Sequence, residues 1–171
     1  MKKYLVFSLV AGGLLLAACG KKEESSAATP SSAPAATAAA PAAPAVATIE
    51  LTANDSMKFS ATRFEVTAGQ EVKVTMTNLG TMPKVAMGHN FILLKKGTDL
   101  KAFTDAAIMA AATDYIPASQ ADQIIAHTKL LGPKQSDEIT FKAPTEPGEY
   151  PFICSFPAHF LSGMKGVIVV K

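Results

Sequence analysis

Val72, Val74 and Met76 alternate with Lys73, Thr75 and Thr77, which is the period-two pattern of a strand with one face buried. The same rhythm returns in Ile49 and Leu51, Phe64 and Val66, Ile139 and Phe141, and Tyr150, Phe152 and Cys154. Phe91-Ile92-Leu93-Leu94 is a continuous apolar run, as expected of a strand buried on both faces, and Val167 to Val170 closes the chain. Turn residues punctuate these runs: Ala68-Gly69, Asn78-Leu79-Gly80, Gly132-Pro133 and Glu146-Pro147-Gly148. Many short strands with such punctuation predict an all-β, Greek-key β-sandwich over residues 48–171. Pro151 has no N–H, so its position should not donate to a ladder. A short helical insertion is expected around 99–125. Alanine is dense from Asp99 to Ala112, and Leu100, Phe103 and Ala107 recur at helical spacing, which predicts a helix or two in a flap between strands, ended by Pro117.

The N-terminal third has a different character. Lys2 and Lys3 precede an apolar run from Tyr4 to Ala18, the length of a secretory leader and short for a membrane span. Leu16-Ala17-Ala18-Cys19 resembles a bacterial lipobox, which implies a signal peptide over 1–18 and a lipid anchor on Cys19. The resemblance, with Gly20 rather than Asp after the cysteine, implies the outer membrane, facing the periplasm, with exposure at the cell surface as the alternative. Residues 19–47 are Ala, Pro and Ser-rich, with no large apolar side chain between Leu16 and Val46. Such a stretch cannot bury enough surface to offset its ordering entropy and reads as a tether. Fully extended, it would reach roughly 80 Å.

Charge excludes one class of partner. Without Lys2 and Lys3, the remaining 14 basic residues balance 14 acidic ones, so no nucleic acid is expected. Two cysteines cannot build a disulfide scaffold, and three histidines cannot build a site that needs many imidazoles.

The chemistry concentrates in two segments, Met87-Gly88-His89-Asn90-Phe91 and Cys154 to Met164. In the second, Cys154, His159 and Met164 are evenly spaced just after a strand, so a tight loop can bring their side chains to one point. A second imidazole would complete a trigonal His₂Cys plane with a weak axial Met, the donor set of a copper electron-transfer site. A soft thiolate suits Cu(I) and tolerates Cu(II), imidazoles suit both, and a thioether binds weakly; the same ligands also accept zinc. Taken singly, each has a blander reading: a Cys at a strand end is usually a small core hydrophobe and a Met is usually packing.

Together the segments resemble azurin, of the cupredoxin (blue copper) family. Met87-Gly88-His89-Asn90 and Cys154-x-Phe156-Pro157-x-His159 are similar to its two ligand segments, and Ala126-His127-Thr128-Lys129-Leu130-Leu131-Gly132 to a third stretch. The resemblance spans nearly all of 48–171 and extends to lipid-modified azurins. It implies copper held by His89, Cys154 and His159, with Met164 axial and the Gly88 carbonyl a distant contact. It implies that the N–H groups of Asn90 and Phe156 point at the Cys154 sulfur, and that the Asn90 side chain ties the ligand loops together. Met57, Met82, Met87, Phe156, Pro157 and Ala158 would surround a solvent-exposed edge of His159 and form a docking patch for c-type cytochromes or other redox proteins. His127 would have no metal role.

The sequence departs from azurins in four places. The loop from His159 to Met164 is one residue longer, as in auracyanins. The disulfide is missing, Phe91 replaces a buried tryptophan, and Asn78 stands where azurins often carry a histidine. The implied function is a membrane-tethered one-electron carrier, not an enzyme, because only His127 remains to build any second copper centre. The alternative is a copper-sequestering envelope lipoprotein, although the seven methionines form no Met-x-Met array.

Overall fold

The computed structural model describes residues 45–171. The expected leader, the lipobox Cys19 and the tether before Ala45 lie outside those residues. Among the described residues no helix is long and apolar enough to cross a membrane.

Among the described residues, nine strands form two sheets. The first contains β1 (Ala47–Asn54), β2 (Lys58–Phe59), β4 (Glu71–Asn78) and β7 (Ser136–Lys142), in the order β2-β1-β4-β7. The second contains β3 (Arg63–Val66), β5 (Ile92–Leu94), β6 (Ile124–His127), β8 (Gly148–Ile153) and β9 (Lys165–Val170), in the order β3-β9-β8-β5-β6. The alternation in sequence becomes alternation in burial. Ile49, Leu51 and Ala53 of β1 and Val72, Val74 and Met76 of β4 point inward, against Phe152, Ile168 and Val170. Full burial of each large side chain contributes about 1.5–3 kcal/mol.

Both sheets are mixed. β1 pairs with β4 in parallel and β3 with β9 in parallel, while the other pairs are antiparallel. Alternation fixes which face is buried but says nothing of strand direction, which follows from the crossovers between sheets.

Phe152 is the hub of the interior, with ring centroids 5.3 Å from Phe59, 5.9 Å from Phe64 and 5.2 Å from Phe91. Gly166 on β9 makes room for it: a Cβ there would sit 2.3 Å from Phe152 and 2.5 Å from the Thr62 carbonyl. Pro151 is accommodated because β5 pairs only with Phe152 and Ile153 and stops short of it.

The apolar run at β5 is buried on both faces because a flap covers the outer one. Helix α2 (Leu100–Ile108) turns Phe103 onto Ile92, Leu94 and Ile153. Asp99 caps it, accepting from the N–H groups of Lys101 and Ala102 at 2.9 and 3.0 Å. The flap holds one α-helix and short 3-10 turns, as the alanine pattern predicts, but the helical stretch does not end at Pro117. After Ile108 the chain tightens into a 3-10 turn at Ala111–Thr113, and Asp114 and Tyr115 adopt left-handed φ values of 54° and 61°. The Thr113 hydroxyl bonds the Ala110 and Ile116 carbonyls and folds the segment back. Pro117 instead precedes a second 3-10 turn, Ala118–Gln123. A one-turn helix, α1 (Lys84–Met87), leads into the Gly88-His89 segment.

Candidate metal centre

The site forms at one end of the sandwich, where the segment between α1 and β5 meets the loop between β8 and β9. His89, Cys154 and His159 are all buried there, and their ligand atoms lie within 4.8 Å of one another. The Cys154 Sγ is 3.5 Å from His159 Nδ1, and the two imidazole centroids are 4.8 Å apart.

Each ligand is positioned by backbone bonds. The His89 N–H donates to the Leu131 carbonyl at 3.1 Å, and the Leu131 N–H returns to His89 at 2.8 Å. Leu131 is held in turn by Asn78, which is buried. The Asn78 Nδ2 donates to the Leu131 carbonyl at 3.1 Å, and its Oδ1 accepts from the Gly80 N–H at 2.8 Å. Gly88 has ordinary φ and ψ, but no space: a Cβ would lie 2.8 Å from the Lys84 carbonyl and 2.9 Å from Leu130 Cγ. A side chain there would push the His89 backbone out of place.

The two ligand segments are joined by Asn90. Its Nδ2 donates to the Ser155 hydroxyl and its Oδ1 accepts from the Ser155 N–H, both at 2.9 Å. Met164 is buried, its N–H donating to the His159 carbonyl at 2.9 Å and its carbonyl accepting from the Cys154 N–H at 3.2 Å. The Met164 backbone is thus pinned to both ligands of its own loop.

Burial pushes the Cys154 thiol up to about 12, although the N–H groups of Asn90 and Phe156 point at the sulfur and pull the other way. Burial, then the neighbouring His89, pushes His159 down to about 4. Burial also lowers His89. The Asn54 carbonyl is close enough to favour a ring proton there, though no hydrogen bond closes, and the Asp55 carboxylate works in the same direction.

These groups fit a soft metal cation. Both ring nitrogens of His89 are buried without a hydrogen-bond partner, and buried polar atoms are normally satisfied. The thiol resists ionisation unless a cation stabilises its thiolate, so metal binding would release a proton. A thiolate and two imidazoles are donors that suit copper, and Met164, whose backbone is bonded to two of those ligands, is the residue that could add a thioether.

The rim differs from the sequence-based picture in one respect. His159 is only 2% exposed: the Phe156 ring lies against its imidazole, tilted by 40° at 4.7 Å between centroids, and Tyr115 packs edge-on against Phe156 at 5.1 Å. Met57, Met87 and Pro157 are half-buried, while Met82 and Ala158 are exposed. Met57 and Ala158 are left-handed, with φ of 55° and 70°. Sequence reasoning missed two more apolar rim residues, Val85 on α1 and Leu161 in the Cys154–Met164 loop, at 88% and 80% exposure. Their signal was proximity to the ligand segments. His127 is exposed, its Nδ1 at 3.1 Å from the Thr128 carbonyl, and takes no part in the site.

The sequence matches the family described as copper binding proteins, plastocyanin/azurin family, over residues 45–171. It is 35% identical to an azurin of Alcaligenes faecalis over 123 residues, covering 70% of this chain and 94% of that azurin. It is 38% identical to outer membrane protein H.8 of Neisseria meningitidis serogroup B over 115 residues, covering 66% of this chain and 61% of that protein. Among solved structures, the dithionite-reduced auracyanin of Roseiflexus castenholzii superposes with a TM-score of 0.65 at 40% identity, covering 72% of this chain and 96% of that one.

Proposed function

The chain belongs to the plastocyanin/azurin family of copper-binding proteins, and from that premise we propose that it is a membrane-tethered one-electron carrier. His89, Cys154 and His159 would hold the copper, and the Met164 thioether and the Gly88 carbonyl would be its weaker donors. Bound there, copper would supply a Cu(I)/Cu(II) couple. The observation that carries this reading is the convergence of three buried ligand atoms within 4.8 Å, two of them on a histidine pair with no other partner for His89.

The chain's own contribution is to keep that geometry fixed in both oxidation states. Asn90 locks the two ligand segments together, and the paired backbone bonds of His89 and Leu131 hold one imidazole in register with the sheet edge. The N–H groups of Asn90 and Phe156 stabilise charge on the sulfur. Such surrounding bonds tune a metal as much as its ligands do. We assign the chain no catalytic reaction.

Visible absorption tests the reading on the copper-loaded chain. An intense thiolate-to-copper band should appear with Cu(II), bleach with ascorbate and return with ferricyanide. A colour that never returns, or none at all, moves the assignment to copper sequestration.

The tether and the partners belong to the same proposal. The Leu16-Ala17-Ala18-Cys19 run supports lipid anchoring in the outer membrane, facing the periplasm, as does likeness to a protein named for that membrane. The described chain begins at Ala45, whose carbonyl accepts from the Gln70 amide at 2.6 Å. From there β1 runs from Ala47 to Asn54, roughly 23 Å at strand rise, toward the end that holds the metal centre. This arrangement supports a tether that leaves at one pole and a redox face at the other. The apolar rim of Met57, Met82, Met87, Pro157 and Ala158, extended by Val85 and Leu161, suits transient docking of a c-type cytochrome. Labelled palmitate that fails to enter a Cys19→Ala chain would support the anchor. Slower reduction of Val85→Lys by a c-type cytochrome would support the rim.

A further inference from the structure

The segment Phe160–Gly163 is the outer turn of the loop that carries His159 and Met164. Its hydrogen bonds are almost all internal: Ser162 N–H to the Ala158 carbonyl at 2.9 Å, and Gly163 N–H to the Phe160 carbonyl at 2.9 Å. Among the described residues, one hydrogen bond reaches this turn from elsewhere in the chain. The ammonium of Lys58 donates to the Ser162 carbonyl across 104 positions of sequence. Gly163, at φ 89°, leaves the space for it, since a Cβ there would lie 2.8 Å from Lys58 Nζ. The other end of the contact is also shaped. Met57, just before Lys58, holds a left-handed φ of 55°, with its N–H bonded to the Asn54 carbonyl at 3.1 Å. A bulky residue kept in that region marks a turn whose direction matters. Lys58 has no carboxylate partner among the described residues, so its charge is directed at the loop.

Resting on the copper reading above, we propose that Lys58 is a positioning residue for Met164. The ammonium pins the outer turn to the hairpin between β1 and β2. The turn in turn fixes how far the Met164 side chain stands from the Cys154 and His159 ligands. Its backbone is already bonded to both, so the remaining freedom is a rocking of the loop, and Lys58 blocks it. A charge-assisted bond on a surface loop is sufficient for that: Phe160 anchors the start of the turn by packing against Ile92, Leu94, Phe103 and Ile153, and the bond from Lys58 holds its far end at Ser162.

The test compares the full chain with Lys58→Met, which keeps the apolar stem and loses the ammonium, and Lys58→Arg, which restores the donor. Lys58 is exposed, so neither change threatens folding. In the metal-free proteins, amide exchange at Gly163 and Met164 should be on the order of fivefold faster in Lys58→Met and near the parent rate in Lys58→Arg. In the copper-loaded proteins, Lys58→Met should change the intensity ratio of the violet and red thiolate bands and the rhombicity of the Cu(II) EPR signal, while Lys58→Arg should not. Unchanged exchange, band ratio and EPR signal in Lys58→Met overturn the proposal. If the parent chain shows no thiolate-to-copper band, the copper reading falls, and the exchange comparison alone decides whether Lys58 holds Met164.

Discussion

Asn90 and Ser155 are joined by two hydrogen bonds of 2.9 Å each, one in either direction, and they bridge the two segments that supply the ligands. Both residues are buried, so no water stands ready to replace either partner. Asn90→Ala leaves the Ser155 N–H and hydroxyl unsatisfied in the interior. It should cost about 2–3 kcal/mol of stability, read from denaturant midpoints of the metal-free protein. It should also speed copper loss to a chelator. A change below about 0.5 kcal/mol would mean that the bridge forms only in part.

The buried thiol gives a second expectation. With Cys154 pushed up to about 12, only about one part in ten thousand is thiolate at pH 8. The metal-free protein should therefore react with a disulfide reagent far more slowly than a free cysteine, at a rate set by opening of the fold. Mild denaturant should accelerate it, and bound copper should block it. Rapid labelling of the native metal-free protein would contradict the burial.

Acid should destabilise the metal-free protein in a defined window. His159 is pushed down to about 4, chiefly by burial, while the unfolded chain titrates near 6.5. As pH falls below 6.5 the unfolded state takes up a proton that the folded state refuses. Stability is greatest above 6.5, falls through the interval, and levels off near 4. His89 shifts in the same direction. Denaturant midpoints of the metal-free protein between pH 7.5 and 4 measure the slope; a flat profile would show that the imidazoles titrate freely.

Ala158 holds a left-handed φ of 70° immediately before His159. That conformation costs a side chain about 1–2 kcal/mol, whereas glycine adopts it freely but loses about 0.5–1 kcal/mol of extra entropy on folding. Ala158→Gly should therefore raise stability by about 0.5–1 kcal/mol, read as a higher melting temperature. A loss of stability would place the strain elsewhere in the loop.

Period-two alternation made the inward faces of β1, β4 and β8 legible, because burial of one face is a local property of every second residue. The spacing of Cys154, His159 and Met164 predicts that one loop gathers donors, and the resemblance to azurins names His89 as the second imidazole; His89, Cys154 and His159 do meet. Alanine density predicts helix in the flap but does not mark where each helical piece ends. The helix stops at Ile108, and further on the Thr113 hydroxyl and the left-handed Asp114 and Tyr115 fold the segment back. The parallel pairing of β1 with β4 and of β3 with β9 depends on where the crossovers travel, which no residue pattern encodes.

The sequence by itself determined which residues turn inward and which donors are available to a metal, since both follow from residue type and short-range spacing. Only the tertiary structure decided that Asn78 supports His89 through Leu131, that Phe156 closes over His159, and that Lys58 reaches Ser162. These relationships join positions distant in the chain. Each exists only after the two sheets pack and fix the distances between their loops.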